Sequence, residues 1–426
     1  MRKLMMTASL LVCVMLIFAC NGGTATPTRP PTDTPHRPPT RTERPSVEVR
    51  PTDTRPPRPT FTNTIEPTIT ATTPIGTPVT IRFIQMIDGA TGWGIGSMAG
   101  ADNHVLLTQD GGSLWEDVSP SEPGLAAKHA AGYFYDRHTG WVVYYPVWAG
   151  GPPPAGTFYT WNTTNDGATW TQSATHSVEF LGRTGLPPFV DFVSSNTGWI
   201  MLRHGAAGMH RYPIYLMKTT NGGASWTMQI NALGGSYLQS CHKTGMDFVD
   251  VSTGWVTYDN CPITGARISV TGDGGATWSE ISLPEPATFP GVFATASCHS
   301  HSPNLLSATT GAVAMSCMIG GDPSNVEDYL YVTTTGGASW IDVPYPGGPL
   351  YMLDTATAFA MGQEMHRSID GGVNWTPTSI VSWDGQFSFV TSLYVWGAAD
   401  SAGSYALVKS VNGTDSWGML TPMVGP

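Results

Sequence analysis

TQDGGSLW, at residues 108–115, is the first of seven copies of one eight-residue string. A hydroxyl residue opens each copy, Asp, Asn or Thr stands third, and Trp closes every copy. Gly stands fifth except in the last copy, where Thr414 takes its place. The other copies are TTNDGATW (163–170), TTNGGASW (219–226), TGDGGATW (271–278), TTTGGASW (333–340), SIDGGVNW (368–375) and SVNGTDSW (410–417). A string that recurs in this way indicates a repeat protein.

A second signature precedes each string. It has apolar and aromatic residues, then a turn, then Gly-Trp, as in FIQMIDGATGWGIG from Phe83 and FVDFVSSNTGWIM from Phe189. The last three copies are less regular and read LLSATTGAVAMS, YMLDTATAFAMG and FSFVTSLYVWGA. Each repeat divides into four short strands, with the string forming the turn between the third and the fourth. Four strands at this period are typical of propeller blades, which bury both faces only in a closed ring. The sequence therefore predicts an all-β fold, a seven-bladed β-propeller of four-stranded antiparallel blades.

The strings resemble BNR or Asp-box repeats. The combination F-x-D…TGW…TxDGGxxW is most similar to the photosystem II stability/assembly factor-like propellers, and more distantly similar to sialidases and sortilin. The resemblance covers residues 78–421 and implies the fold, but one propeller fold hosts many activities. It does not imply a photosystem role, because the tether described below and the acidic composition depart from what we expect of that family.

The residues of the strings, called Asp boxes from here on, are predicted to be structural. A short side chain at the third position accepts hydrogen bonds from backbone N–H groups of the tight turn. Asp, Asn and Thr exchange there, which a catalytic carboxylate would not allow. The closing Trp is expected to pack between strands. The third-position residues are Asp110, Asn165, Asn221, Asp273, Thr335, Asp370 and Asn412, and the closing residues are Trp115, Trp170, Trp226, Trp278, Trp340, Trp375 and Trp417.

The amino-terminal segment is predicted to export and anchor the protein. Residues 1–20 have a basic start, an apolar run too short for a comfortable membrane span, and Ile17-Phe18-Ala19-Cys20, which resembles a lipoprotein cleavage box. Cys20 is the predicted lipid site; the alternative is an ordinary secretory signal. Residues 21–77 are predicted to be a disordered Pro/Thr-rich linker, and residues 78–426 the propeller. The expected location is extracytoplasmic, anchored by lipid to the cell membrane, in the periplasm or at the cell surface.

The net charge of the predicted propeller limits the kinds of partner that it can bind. Residues 78–426 contain 11 Lys and Arg against 26 Asp and Glu, a net charge of −15. Such a domain repels phosphates, so no nucleic-acid partner is expected. A basic protein segment or a cation is the more natural ligand.

Four cysteines lie in two neighbouring repeats at matching positions: Cys241, Cys261, Cys298 and Cys317. In an exported protein this pattern predicts disulfides 241–261 and 298–317, although four cysteines allow three pairings. The alternative is a metal site built from Cys241-His242 and Cys298-His299-Ser300-His301. The bridges are expected to tie a loop between blades to a loop between the second and third strands.

The candidate binding surface is the rim opposite the Asp boxes, where residues 144–156, 203–213 and 318–328 form the long insertions. Loops on a rigid scaffold suit binding. Tyr144, Tyr145 and Trp148 are expected to form an exposed aromatic cluster for a protein strand or a sugar ring. Asp322, Glu327 and Asp328 are expected to form an acidic group that receives Lys or Arg, or alternatively Ca²⁺. Arg203 and Arg211 are the remaining candidates of the rim.

The function predicted from sequence is that of a monomeric protein-binding or assembly scaffold, not an enzyme, with no cofactor and no metal. The alternative partner is a cell-surface glycan, recognised by a glycan-binding module or cleaved by a sialidase-like glycoside hydrolase. Sialidases resemble six-bladed propellers and use an arginine triad. The propeller region has only seven arginines and lacks the Arg-Ile-Pro start of those enzymes. Hydrolysis would also require a pair of carboxylates across a cleft.

Overall fold

A computed structural model describes residues 74–125, 128–146, 156–178, 186–203, 212–231, 238, 240–259 and 265–426. These residues form 32 short strands and a single four-residue helix, α1 (Val292–Thr295). Within this part of the chain, no helix has the length and apolar character needed to span a membrane. The predicted signal, Cys20 and most of the predicted linker lie outside the described residues.

The strands form seven antiparallel blades in chain order, which confirms the predicted fold. Blade 1 contains β1 (Val79–Met86), β2 (Gly92–Met98), β3 (Ala101–Thr108) and β4 (Leu114–Asp117). Blade 2 contains β5 (Lys128–Phe134), β6 (Gly140–Pro146), β8 (Trp161–Thr163) and β9 (Thr171–Gln172), with β7 (Gly156–Phe158) and β10 (His176–Val178) as a separate pair. Blade 3 contains β11 (Phe189–Phe192), β12 (Gly198–Arg203), β13 (Ile214–Thr219) and β14 (Thr227–Ile230).

The remaining blades follow the same order. Blade 4 contains β15 (Lys243–Phe248), β16 (Gly254–Tyr258), β17 (Arg267–Thr271) and β18 (Ser279–Ser282). Blade 5 contains β19 (Ala296–Ser300), β20 (Asn304–Leu305), β21 (Gly311–Ile319), β22 (Val326–Thr333) and β23 (Ile341–Pro344). Blade 6 contains β24 (Leu350–Met352), β25 (Ala358–Met361), β26 (Glu364–Ser368) and β27 (Thr376–Ile380). Blade 7 contains β28 (Asp384–Phe389), β29 (Val395–Ser401), β30 (Ser404–Ser410) and β31 (Gly418–Met419).

The two ends of the chain close the ring at blade 1. The last strand, β32 (Met423–Val424), pairs in parallel with β4. Gly76 and Val79 donate their backbone N–H groups to Val424 and Pro422. Residues 74–77, at the end of the predicted linker, are therefore bonded to the propeller.

The Asp boxes repeat one set of hydrogen bonds in every blade. The opening hydroxyl accepts the backbone N–H of the fifth residue, as Thr219 does from Gly223 at 2.9 Å. The third side chain accepts the N–H of the seventh residue, as Asp273 does from Thr277 at 2.8 Å. The equivalent bonds occur in the other boxes. The box acids are therefore committed to their own turns.

Tryptophans of the second strands join blade 2 to blade 3, blade 3 to blade 4 and blade 7 to blade 1. The indole of Trp199 donates to the carbonyl of Gly274 in the next Asp box at 2.8 Å, and its ring stacks on Phe248 at 3.7 Å. Trp141 makes the same bond to Gly222, and Trp396 of blade 7 bonds to Gly111 of blade 1. The Gly-Trp signature therefore identifies contacts between blades, which hold the ring together.

The disulfide Cys298–Cys317 predicted from sequence is present, with a Cα–Cα distance of 4.0 Å. It joins the paired strands β19 and β21 within blade 5. The expectation that it would tie two loops together is therefore wrong, because both cysteines lie at facing positions of one antiparallel pair. Cys241 is also disulfide-bonded, and Cys261, its predicted partner, lies outside the described residues.

Candidate functional site

Polar side chains on the innermost strands link neighbouring blades at five junctions around the central channel. The inner edge of each blade exposes backbone N–H groups that its own sheet leaves unpaired. The preceding blade supplies an acceptor for them. Asp191 accepts from Phe248 N, and Asp247 accepts from Leu305 N, both at 2.6 Å. These bonds run from blade 3 to blade 4 and from blade 4 to blade 5.

Neutral side chains form the corresponding bonds at other positions of the ring. Gln85 accepts from Phe134 N, and Asn304 accepts from Met352 N. Ser388 accepts from Met86 N at 2.8 Å, which links blade 7 to blade 1. A carboxylate charge is therefore not required to cap a strand edge in this ring.

A cavity of about 500 Å³ opens in the channel beside this polar ring. Its wall comes from blades 2 to 6. None of the described residues that line it is a lysine or an arginine. The polar and titratable side chains on the wall are Tyr133, Asp191, Thr244, Asp247, His299, His301, Ser302, Asn304 and Tyr351.

Asp191 and Asp247 are the two carboxyl groups of this wall. Burial, together with the neighbouring charge of Asp247, raises the pKa of Asp191 well above its usual range. Burial raises the pKa of Asp247 to about 6. Burial also raises the pKa of Tyr133, so its phenol stays neutral. The two carboxyl groups therefore hold a shared proton near neutral pH, and a cation that enters the cavity would stabilise their ionised form.

Two histidines, His299 and His301, line one side of the cavity, and His242 lies behind them against Asp259. Asp259 accepts a hydrogen bond from His242 Nδ1 at 3.2 Å and pairs with His299 Nδ1 at 2.5 Å. Burial alone would raise the pKa of Asp259, but the two imidazoles bring it down to about 2. The bond to Asp259 raises the pKa of His299. Burial and the charge of His299 lower the pKa of His301 to about 4.

The aromatic part of the predicted binding rim is not an exposed cluster. Tyr144 and Tyr145 are each only 8 % exposed. Tyr144 packs in the core between blades 1 and 2, and the Tyr145 ring lies 5.5 Å from His129. The expectation failed because both residues continue strand β6 instead of entering the loop. Trp148 lies outside the described residues.

The charged candidates of the rim have separate environments. Arg203 donates to the backbone carbonyls of Pro187 and Lys243 and lies over the Phe189 ring, which makes it a packing residue. Asp322 and Glu327 are exposed on the hairpin of blade 5, whereas Asp328 is half-buried and accepts from Ser316. Arg211 lies outside the described residues.

The structure does not support the alternative metal site at the cysteines. Cys298 is bonded to Cys317, so its thiol is not available as a ligand. Within the part of the chain that the structure describes, no three His, Cys, Asp or Glu side chains are grouped closely enough to hold a metal ion.

Sequence reasoning missed the two carboxyl groups of the cavity. Asp191 lies in the F-x-D element FVDF at 189–192, and Asp247 takes the same place in MDF at 246–248. An acid therefore stood at the same place in two neighbouring repeats, where the other repeats have Gln, Tyr, Asn or Ser. Only the ring shows that these positions meet around one channel.

No family model matches the sequence, and no curated protein matches it either. Among solved structures, the polysaccharide lyase Uly1 is 10% identical with a TM-score of 0.51, over 78% of this chain and 90% of that chain. YCF48 bound to D1 peptide is 14% identical with a TM-score of 0.49, over 80% and 95% of the two chains. YCF48 from Cyanidioschyzon merolae is 17% identical with a TM-score of 0.48, over 79% and 96%. At these identities the similarity concerns the propeller fold alone.

Proposed function

We propose that this protein is a membrane-tethered, extracytoplasmic binding module that takes a cationic group of a protein partner into its central cavity. The observation that carries the proposal is the pair Asp191 and Asp247 on the wall of a cavity of about 500 Å³. A lysine side chain with its adjoining backbone fits such a volume. The assembly or scaffold role follows from this binding, with the lipid anchor and the linker holding the propeller outside the membrane.

The two buried carboxyl groups lower the stability of the fold, and this loss of stability supports a role in binding. Neutral side chains form the same strand-edge bonds elsewhere in the ring, so the carboxyl groups are not needed for folding. Burying two like charges destabilises the folded state. Groups that lower stability without a structural need are typical of functional sites.

The chain from the third strand of blade 4 to the third strand of blade 6 has the same sign of charge. From residue 268 to residue 366 the sequence contains nine Asp and Glu and no Lys or Arg. Asp322 and Glu327 stand exposed on the loop-bearing rim of this region. A basic partner would be attracted to this side before a side chain reaches the cavity.

The first test is binding of a defined cationic probe. We expect acetyl-Gly-Lys-Gly-amide to bind the purified propeller in calorimetry at pH 7.5, and acetyl-Gly-Gln-Gly-amide not to bind. The double variant Asp191→Asn, Asp247→Asn should weaken binding about 30-fold or more, because it removes both anionic partners of a desolvated cation.

The matched control removes the same amount of charge from the rim. Asp322→Asn with Glu327→Gln changes the net charge equally but leaves the cavity intact. We expect this control to change the affinity by less than about threefold in 0.15 M salt, since exposed charges are screened. Equal losses in both double variants, or equal binding of the Lys and Gln peptides, would rule out the cavity as the site.

The anchor is tested separately by cell fractionation of the full chain. We expect the wild-type protein to sediment with membranes and to incorporate labelled fatty acid. Cys20→Ser should abolish the label and move the protein to the soluble extracytoplasmic fraction, because a cleaved and unacylated chain has no lipid. Label retained in Cys20→Ser, or a soluble wild-type protein, would contradict the lipid anchor.

Recognition of a neutral glycan is the second candidate function. The observation that favours it is the presence of two carboxyl groups, a tyrosine and a neutral histidine in one cavity, since paired carboxyl groups are the usual catalytic set of glycosidases. An acidic wall disfavours anionic sugars, and no arginine stands among the described lining residues to hold a sialic acid. Binding or cleavage of neutral oligosaccharides that is lost in Asp191→Asn, Asp247→Asn would select this function.

A further inference from the structure

His299 connects the cavity to a neighbouring blade. Its exposed imidazole lines the cavity wall, and Asp259 at the end of blade 4 holds it from behind. The same carboxylate also accepts from His242 at 3.2 Å, so its single negative charge is shared between two imidazoles. A proton on His299 is therefore stabilised while part of its positive charge still reaches the cavity.

We propose that cation binding in the cavity is coupled to proton release from two groups on its wall, the Asp191–Asp247 pair and His299, so that acidification expels the ligand. The inference rests on the proposed function, because it concerns the regulation of the same site. The protein would then be a carrier or a docking module whose affinity for its cationic ligand depends on the pH outside the cytoplasm.

The carboxyl pair supplies the first part of the coupling. Asp247, with its pKa raised to about 6 by burial, holds a proton in mild acid, and Asp191 holds one more firmly. A cation gains its full attraction only when the pair is ionised. Binding therefore displaces a proton, and the affinity rises with pH through this range.

His299 supplies the second part. The bond to Asp259 raises the pKa of His299 above its ordinary value, so the imidazole keeps its proton to a higher pH than a free imidazole does. An imidazolium and a ligand cation on one cavity wall repel each other. Deprotonation of His299 removes that repulsion, so the affinity rises further at the upper end of the range.

The other charged groups nearby do not change this direction. His301 on the same strand has its pKa lowered to about 4 and stays neutral between pH 5 and pH 8. Burial raises the pKa values of Tyr133 and Tyr351 across the cavity, so both phenols stay neutral. The remaining charged neighbours are Lys243, Asp328, which accepts from Ser316, and the pair Arg267 and Glu280 beside Asp259. Burial lowers the pKa of Lys243 to about 7, so this lysine also loses positive charge as the pH rises, which favours cation binding in the same direction.

The test is calorimetry of wild-type protein with acetyl-Gly-Lys-Gly-amide from pH 5 to pH 8, in buffers that differ in ionisation enthalpy. We expect binding at pH 7.5 to be at least about tenfold tighter than at pH 5, with net proton release in the intermediate range. A dissociation constant that stays flat across the range would overturn the coupling but leave the proposed function standing. Absence of binding at every pH would overturn both.

Two variants test whether His299 is the group that releases the second proton on binding. Asp259→Asn withdraws the anion that holds the His299 proton, and His299→Gln removes the proton itself. His299→Gln should tighten binding between pH 6 and pH 7 by about threefold or more relative to wild type and leave it unchanged at pH 8. Asp259→Asn also removes an anion beside the cavity, so it should flatten the pH profile of the affinity without tightening binding at pH 8. The matched control is His366→Gln, a half-buried histidine on the third strand of blade 6, outside the cavity lining, that should leave the profile unchanged. A profile that neither Asp259→Asn nor His299→Gln alters would overturn the role of His299.

Discussion

Trp199→Ala is expected to lower the free energy of unfolding of the propeller by about 3–5 kcal/mol. Trp199 is fully buried and stacks on Phe248 of the next blade at 3.7 Å. Its indole N–H bonds to Gly274 of the next Asp box, and Lys218 lies 5.0 Å from the ring centroid. Truncation to alanine therefore opens a cavity and breaks the joint between blades 3 and 4. Chemical denaturation followed by tryptophan fluorescence and circular dichroism measures the change.

The conservative variant separates packing from the hydrogen bond. Trp199→Phe keeps an aromatic ring against Phe248 but loses the bond to Gly274, so we expect a loss of about 1–2 kcal/mol. Trp340→Phe is the matched control, because the described residues offer no partner to the Trp340 indole nitrogen. This control should cost less than Trp199→Phe. A Trp199→Ala variant within about 1 kcal/mol of wild type would show that these indoles do not hold the ring closed.

The blade count was predictable because each Asp box is a local structure. Its turn is fixed by a hydroxyl, an acceptor and residues that take positive φ, all within eight positions. Even the departure in the last box follows the rule, since Thr414 takes a φ of 76° where the other boxes have glycine. A pattern satisfied within one turn can be recognised from sequence without any knowledge of the partner blades.

The cavity was not predictable for the opposite reason. Asp191 and Asp247 are 56 positions apart and meet only because neighbouring inner strands line one channel. The contact of β32 with β4 joins the two ends of the propeller, which no local pattern encodes. Tyr144 and Tyr145 were misplaced because strand β6 runs further than the insertion beside it suggested. Properties that depend on ring closure therefore had to come from the structure.

The second large effect is a gain in the free energy of unfolding, whereas Trp199→Ala is expected to lower it. We expect Asp191→Asn, Asp247→Asn to raise the free energy of unfolding at pH 7 by about 3 kcal/mol, as a pKa of about 6 for Asp247 against an ordinary value of 3.8 implies. The amide oxygens still accept from Phe248 N and Leu305 N, so the strand-edge bonds survive. Denaturation of both proteins from pH 4 to pH 8 measures the difference.

The pH dependence identifies the cause of that gain. Between about pH 4 and pH 6 the folded wild type binds more protons than the unfolded chain, so its stability falls as the pH rises. The asparagine variant lacks this slope, so the two proteins should converge near pH 4 and diverge as the pH rises. The difference should still grow above pH 6, because the pKa of Asp191 is also raised well above its usual range. Asp273→Asn is the contrasting control, because hydrogen bonds from Thr277 lower the pKa of Asp273 to about 2 and its charge stabilises its own turn. That variant should gain no stability at pH 7.

The Asp191–Asp247 pair destabilises the free protein, although neutral residues form the same hydrogen bonds elsewhere in the ring. Such a pair is typical of a binding site in which the ligand compensates the buried charge. A double variant no more stable than wild type would remove that argument.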